Sequence, residues 1–108
     1  MVYYSKRALI DLRMLFKALL QWSATHANEP TLTYDEVLQY FYSLQNECAL
    51  LATATTHKQP VYEVHKKYGH YVKAYKRNKR TTWYIIYNLR SNGSILIKRI
   101  MSNHITIK

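Results

Sequence analysis

The hydrophobic period changes about halfway along this chain, and that change limits the possible folds more than any other feature. Up to about Ala52 apolar residues recur every three or four positions, which predicts helices. From His57 onward β-branched and aromatic residues form strand-length runs. The sequence therefore predicts an α+β fold, with an N-terminal helical hairpin packed on a C-terminal antiparallel β-sheet. We expect one domain over residues 1–108.

The first helix has a recognisable start. Residues 2–4 favour a short strand, and Ser5 is a suitable N-cap for a helix that runs to about Thr25. The apolar face of this helix is predicted to contain Leu9, Leu12, Phe16, Leu19 and Ser23.

The second helix also begins with a capping signal. Thr33 and Glu36 have the spacing of a capping box, which predicts a helix to about Ala52, and residues 27–32 are expected to connect the two helices. Cys48 is the only cysteine, so no internal disulfide is possible. Its spacing from neighbouring apolar residues predicts a buried thiol that packs rather than reacts.

The second half of the chain contains four candidate strands. Asn92-Gly93 is typical of a hairpin turn, Tyr68-Gly69 predicts another turn, and Pro60 is expected just before a strand because it cannot donate to a ladder. The predicted strands are Val61–Lys67, His70–Arg77, Thr82–Leu89 and Ser94–Met101.

Positive charge is concentrated in the same half. Twelve of the sixteen Lys and Arg residues follow Thr55, where Glu63 is the only acidic residue. The first 55 residues contain four basic and five acidic residues, so the net charges are −1 and +11. Self-repulsion on this scale favours a polyanionic partner, either nucleic acid or an acidic protein. No uncharged run is long enough for a signal peptide or a membrane span, so a cytoplasmic location is expected.

Two features suggest how RNA or DNA would be bound. Alternation along the second predicted strand places Val72 and Ala74 towards the helices, and it directs a stripe of four residues to solvent: Tyr71, Lys73, Tyr75 and Arg77. Such a stripe is typical of single-stranded nucleic-acid binding, although an ordinary wet sheet face has the same composition. Next to it lies a basic hairpin loop with Lys76, Arg77, Lys79 and Arg80, which would neutralise phosphates or simply be solvated.

Catalytic chemistry has fewer candidates. A metal nuclease needs clustered carboxylates, which this half lacks unless Asp11, Asp35 or Glu36 fold back onto it, so no metal or other cofactor is expected. Metal-free RNA cleavage needs a base for the 2′-hydroxyl, cations for the phosphate and an acid for the leaving oxygen. Candidate phosphate stabilisers are Lys73, Arg77 and Arg99, and candidate proton carriers are Glu63, His65 and His104.

The order of the elements and several short motifs resemble the RelE/ParE superfamily of bacterial toxins. The motifs are Tyr4–Ala8 (YSKRA), Gly69–Lys73 (GHYVK), Trp83–Tyr87 (WYIIY) and Ile95–Met101 (ILIKRIM). The resemblance covers most of the chain, and residues 76–81 lengthen a hairpin that is usually tighter. It implies a toxin of a type II toxin-antitoxin pair, held inactive by a short, acidic, partly disordered antitoxin. The ribonuclease branch cleaves mRNA on the ribosome without metal, whereas the ParE branch inhibits DNA gyrase.

The same resemblance assigns roles to individual residues. Lys73 matches a catalytic lysine on the central strand, but the next position on that face is Tyr75. Tyr84 stands where the family has arginine, and it is therefore assigned to nucleic-acid binding. His104 follows the last strand at a position where the family has arginine, histidine or tyrosine. Lys73 and His104, with Arg77 or Arg99, would rebuild a ribonuclease site. The alternatives are gyrase inhibition by binding and a basic nucleic-acid-binding module without toxicity.

Overall fold

The computed structural model describes residues 1–25 and 33–103 of the chain. These residues fold as an α+β protein, as predicted, and a 3-10 turn at Leu50–Thr53 follows the second helix. The elements in chain order are β1 (Val2–Tyr4), α1 (Lys6–Thr25), α2 (Tyr34–Ala49), α3 (Glu63–Lys66), β2 (Tyr71–Lys76), β3 (Thr82–Leu89) and β4 (Ile95–Ser102).

Both predicted N-caps are confirmed. The Ser5 Oγ accepts a hydrogen bond from the Ala8 N–H at 3.0 Å, and the Thr33 Oγ1 accepts one from the Glu36 N–H at 3.2 Å. These bonds satisfy amide groups that the first turn of a helix leaves free. Ser5 also donates its backbone N–H to the Ile97 carbonyl at 2.9 Å, which ties the start of α1 to β4. The predicted connection over 27–32 lies outside the described residues.

The described strands form one sheet in the order β1-β4-β3-β2. β2, β3 and β4 are antiparallel, as predicted, but β1 pairs with β4 in parallel, so the sheet is mixed rather than antiparallel. The reason is that β1 and β4 are separated by nearly the whole chain, and no hairpin dictates their direction. The Asn92-Gly93 turn between β3 and β4 is confirmed, and Gly93 has the positive φ of 84° that this turn requires.

The core lies between α1, α2 and one face of the sheet, which we call the helix face. Cys48 is fully buried in it, as predicted, and burial raises the pKa of its thiol to about 11. On α1 the core positions are taken by Ala8 and Leu12, whereas Leu9, predicted on the apolar face, is 48% exposed. Other members of this core are Leu44, Leu51, Trp83, Ile85, Tyr87, Ile95, Ile97 and Ile100.

The predicted strand Val61–Lys67 is wrong. Its residues form the single helical turn α3, in which His65 and Lys66 both donate backbone N–H groups to the Tyr62 carbonyl, at 3.0 and 3.1 Å. The edge of β2 is instead met by one bridge, where Val72 donates to the Lys58 carbonyl at 2.8 Å. Pro60 lies two residues further along and has no N–H, so it cannot extend this ladder.

The other side of the sheet, which we call the opposite face, is partly covered by α3 and the residues after it. Gly69 makes this close approach possible: a Cβ there would lie 2.8 Å from the Ile86 Cγ2 and 3.1 Å from the Tyr87 carbonyl oxygen. Neither contact leaves room for a side chain. A residue without Cβ therefore positions α3 against β3.

Candidate nucleic-acid interface

Three of the four stripe residues, Tyr71, Lys73 and Tyr75, lie on β2 and do not face open solvent. These three residues pair with the core residues of β3 and point to the helix face, in the register Tyr71↔Tyr87, Lys73↔Ile85 and Tyr75↔Trp83. The predicted orientation is therefore wrong, and Val72 and Ala74 lie on the opposite face. Alternation fixes which side chains share a face, but the large residues of β3 decide which of the two faces meets the helices.

Lys73, the leading catalytic candidate, is held by α2. Its Nζ lies 2.8 Å from the Glu47 Oε2 and donates to the Glu47 carbonyl oxygen at 3.1 Å. The two side chains are 27% and 24% exposed, so the pair is partly shielded from water. The charge expected to hold a phosphate is thus neutralised within the protein.

Arg99 is held in the same way by α1. Its Nε and Nη2 donate to the carboxylate of Asp11 at 2.8 and 3.3 Å, and the backbone N–H of Ile100 donates to the same carboxylate at 3.0 Å. The Arg99 and Asp11 side chains are only 12% and 7% exposed. Burial alone lowers the pKa of Arg99, but the hydrogen bonds and charge of Asp11, together with Tyr68, raise it above its ordinary value. Arg99 is therefore held in a largely buried ion pair, and the same Asp11 carboxylate occupies the edge of β4 beyond β1 through its bond to Ile100.

The basic hairpin loop, residues 76–80, is exposed as predicted and is well ordered by hydrogen bonds. The Arg77 N–H donates to the Thr81 carbonyl at 2.9 Å, and the Asn78 Oδ1 accepts from the N–H groups of Arg80 and Thr81, both at 2.9 Å. Just after β4, the Asn103 Nδ2 donates to the Arg80 carbonyl at 2.9 Å. The loop is thus a fixed platform for its exposed cationic side chains.

Arg77 also connects this loop to the helices. Its guanidinium carbon lies 4.5 Å from the centre of the Tyr40 ring, a cation-π distance. The Tyr40 hydroxyl in turn accepts a hydrogen bond from the Trp83 Nε1 at 2.8 Å. Arg77 is therefore oriented by packing but remains exposed, so it can still contact a phosphate.

A cavity of about 400 Å³ lies beside the edge of β2. His65 and Tyr84, which the sequence assigned to proton transfer and to nucleic-acid binding, both line it. Burial lowers the pKa of His65, so the ring is neutral at pH 7, and burial together with Tyr62 raises the pKa of Tyr84. Neither group carries charge at neutral pH. The wall formed by these two rings therefore suits an uncharged, planar group, while Lys58 and Lys73 line other parts of the same cavity.

Two residues of this cavity, Lys58 and Tyr62, were missed by the sequence interpretation. The sequence did contain a signal for Tyr62, because Glu63 and Lys66 have the i,i+3 spacing of a helical ion pair. In the structure these two residues form that ion pair at 3.0 Å. Treating this segment as helical places Tyr62 beside His65. No comparable signal marks Lys58, whose position depends on its bridge to β2.

The structure does not assemble the predicted catalytic set, although two of its candidates, Lys73 and His65, both line the cavity beside β2. Lys73 lies on the helix face with Glu47, Arg99 lies at the β4 edge with Asp11, and Arg77 lies in the basic loop. Glu63 is exposed and pairs with Lys66. His104 lies outside the described residues.

No metal site is formed in the part of the chain that the structure describes, since no three His, Cys, Asp or Glu side chains are grouped there as ligands. Within residues 1–25 and 33–103, no helix combines the length and the apolar character needed to cross a membrane. Neither a protein-family model, nor a curated protein, nor a solved structure matches this chain.

Proposed function

We propose that this protein is a toxin of the RelE/ParE type that binds RNA and cleaves mRNA on the ribosome without a metal ion. The proposed arrangement is a hairpin of α1 and α2 on one face of the sheet, with the basic loop as the main contact to the RNA backbone. Apart from the single turn α3, the elements follow in the order β1, α1, α2, β2, β3, β4, and the resemblance to these toxins rests on that order.

The observation that carries the proposal is the ordered basic loop, whose cations form no ion pair with a carboxylate among residues 1–25 and 33–103. All its cations are exposed, and the only carboxylate that follows Thr55 in the sequence, Glu63, pairs with Lys66. Within the basic loop, the backbone is already held by Asn78 and Asn103. Binding would therefore require little ordering of the backbone, and phosphate contacts of this kind provide affinity without reading sequence.

Cleavage requires a rearrangement at Lys73. Lys73 must exchange the Glu47 carboxylate for the scissile phosphate, because in this structure its charge is already balanced. Phosphate binding would then supply the free energy to break the Glu47 pair. The proton carrier of this mechanism would be His104, or His65 once its ring is exposed.

The second candidate is gyrase inhibition by binding, without catalysis. It is favoured by one specific observation: Lys73 and Arg99 are both engaged in ion pairs, so the ribonuclease set is not assembled. A protein that only binds its target does not need that set.

A three-part assay separates these functions. Purified protein is added to ribosomes carrying a defined mRNA and cut sites are mapped by primer extension; the same protein is added to a gyrase supercoiling assay; and growth is followed on overexpression. The proposal predicts cuts in ribosome-bound mRNA with supercoiling unchanged. Loss of supercoiling with intact mRNA would replace it by the gyrase function, and normal growth with neither effect would leave a basic binding module.

A further inference from the structure

The cavity beside β2 has the walls of a site for a flat aromatic ligand. Tyr62 and Tyr84 meet edge to face with ring centres 6.0 Å apart, and the His65 ring lies 4.5 Å from Tyr84 and 5.5 Å from Tyr62. Val72 and Ala74 of β2 provide an apolar wall. Tyr62 is 57% exposed although it is a large aromatic residue, so this cluster opens to solvent. The volume of about 400 Å³ is within the usual range for small-molecule sites.

Polar groups with hydrogen-bonding capacity lie at the same place. His65 is 1% exposed, and its Nε2 has no hydrogen-bond partner among the described residues. Val72 donates outward to Lys58, so alternation along β2 directs the N–H and C=O of Ala74 to the same edge. A neutral imidazole nitrogen and an edge peptide group match the donors and acceptors on the rim of a heteroaromatic ring.

We propose that this cavity binds one nucleobase, which stacks on one of the two rings, Tyr62 or Tyr84, meets the other ring at its edge, and is contacted at its rim by His65 and the β2 edge. Lys58, which lines the cavity and is exposed, is placed to meet the attached phosphate. The ring can come from single-stranded RNA or from a free nucleotide. The RNA source rests on the proposed function, whereas binding of the ring itself does not.

The first test uses mononucleotides, so that it is independent of any toxin activity. AMP, GMP, CMP and UMP are titrated into the full chain while the ring signals of His65 are followed by NMR, with ribose 5-phosphate as the control that lacks a base. The expected result is a saturable shift of the His65 signals with at least one nucleotide and none with ribose 5-phosphate. No shift with any nucleotide, or the same shift with ribose 5-phosphate, would overturn the proposal.

Two matched variants keep this test informative without altering the buried histidine. Ala74→Leu fills the cavity from an exposed strand position, whereas Ala49→Leu adds the same side chain at an exposed position outside the cavity. Loss of stacking predicts that Ala74→Leu weakens nucleotide binding about 5- to 140-fold, and Ala49→Leu should leave it unchanged. Equal affinities of the two variants would contradict the assignment.

RNA oligonucleotides then identify the source of the ring. If the ring belongs to RNA, an oligonucleotide shifts the His65 signals at a lower concentration than a mononucleotide does, and replacing its bases by abasic sites removes the shift while loop binding persists. RNA that binds without shifting His65 overturns RNA as the source of the ring and leaves the proposed function intact. Mononucleotide shifts without any RNA binding support the cavity as a free-nucleotide site and contradict the proposed function.

Discussion

The ion pair between Asp11 and Arg99 should dominate the local stability of the β4 edge. The Asp11→Ala substitution removes the acceptor of the Arg99 Nε and Nη2 and of the Ile100 N–H. It leaves a guanidinium that is only 12% exposed without a counter-charge. Breaking a buried pair in this way costs about 3–5 kcal/mol, against about 5–15 kcal/mol for the total stability of a small domain. The melting temperature should fall by about 10 °C or more.

Urea unfolding followed by tryptophan fluorescence measures this cost, and Trp83 is a suitable probe because it is buried and bonded to Tyr40. Arg7→Ala is the matched control: Arg7 lies 3.6 Å from the same carboxylate but is 56% exposed, so its loss should cost less than about 1 kcal/mol. The double variant Asp11→Ala with Arg99→Met should recover much of the stability, because an apolar residue needs no partner.

If Asp11→Ala costs no more than Arg7→Ala, the buried-pair interpretation is refuted. The double variant also separates stability from catalysis. A folded double variant that still cuts mRNA would exclude Arg99 as a phosphate stabiliser.

Three further predictions follow from individual contacts. Gly69→Ala should lower the free energy of unfolding by about 1–3 kcal/mol, because its Cβ would overlap Ile86; an unchanged urea midpoint would contradict the close packing of α3. Burial lowers the pKa of His65, so the unfolded chain takes up a proton more readily than the folded one. At pH values under about 6.5, the free energy of unfolding should therefore decrease as the pH falls, by up to about 1.4 kcal/mol per pH unit. The His65→Gln substitution should remove that part of the pH dependence. Lys73→Met should lower the free energy of unfolding by about 1 kcal/mol through loss of the Glu47 pair. If Lys73 is also catalytic, the Lys73→Met substitution should slow RNA cleavage more than it weakens RNA binding, and Glu47→Gln should speed cleavage.

The helix starts and the last three strands could be predicted because their determinants are local. Ser5 and Thr33 act through bonds to residues three positions away, and Asn92-Gly93 sets its own turn. The runs that became β2, β3 and β4 are rich in β-branched and aromatic residues, so their type did not depend on distant contacts.

The failures all depend on contacts between distant parts of the chain. Val61–Lys67 has a strand-like composition, but the edge of β2 is taken by Lys58, and His65 is buried near Tyr84 instead. The face to which Lys73 points is decided by its register with Ile85 on β3. Composition cannot supply such information, because a one-residue change of register reverses every side chain of a strand.

The central claim is that the basic loop contacts RNA phosphates, and the salt dependence of binding tests it most directly. Affinity for a single-stranded RNA oligonucleotide is measured by fluorescence anisotropy over a series of salt concentrations. Three proteins are compared: the unaltered protein, a loop variant with Lys79→Ala and Arg80→Ala, and a charge-matched α1 variant with Arg13→Ala and Lys17→Ala at exposed positions. We predict that the loop variant flattens the slope of log K against log salt by about 1.4, which corresponds to two phosphate contacts on a single strand, and that the α1 variant leaves the slope unchanged. Equal slopes for the two variants, or no binding by the unaltered protein at low salt, would contradict the account.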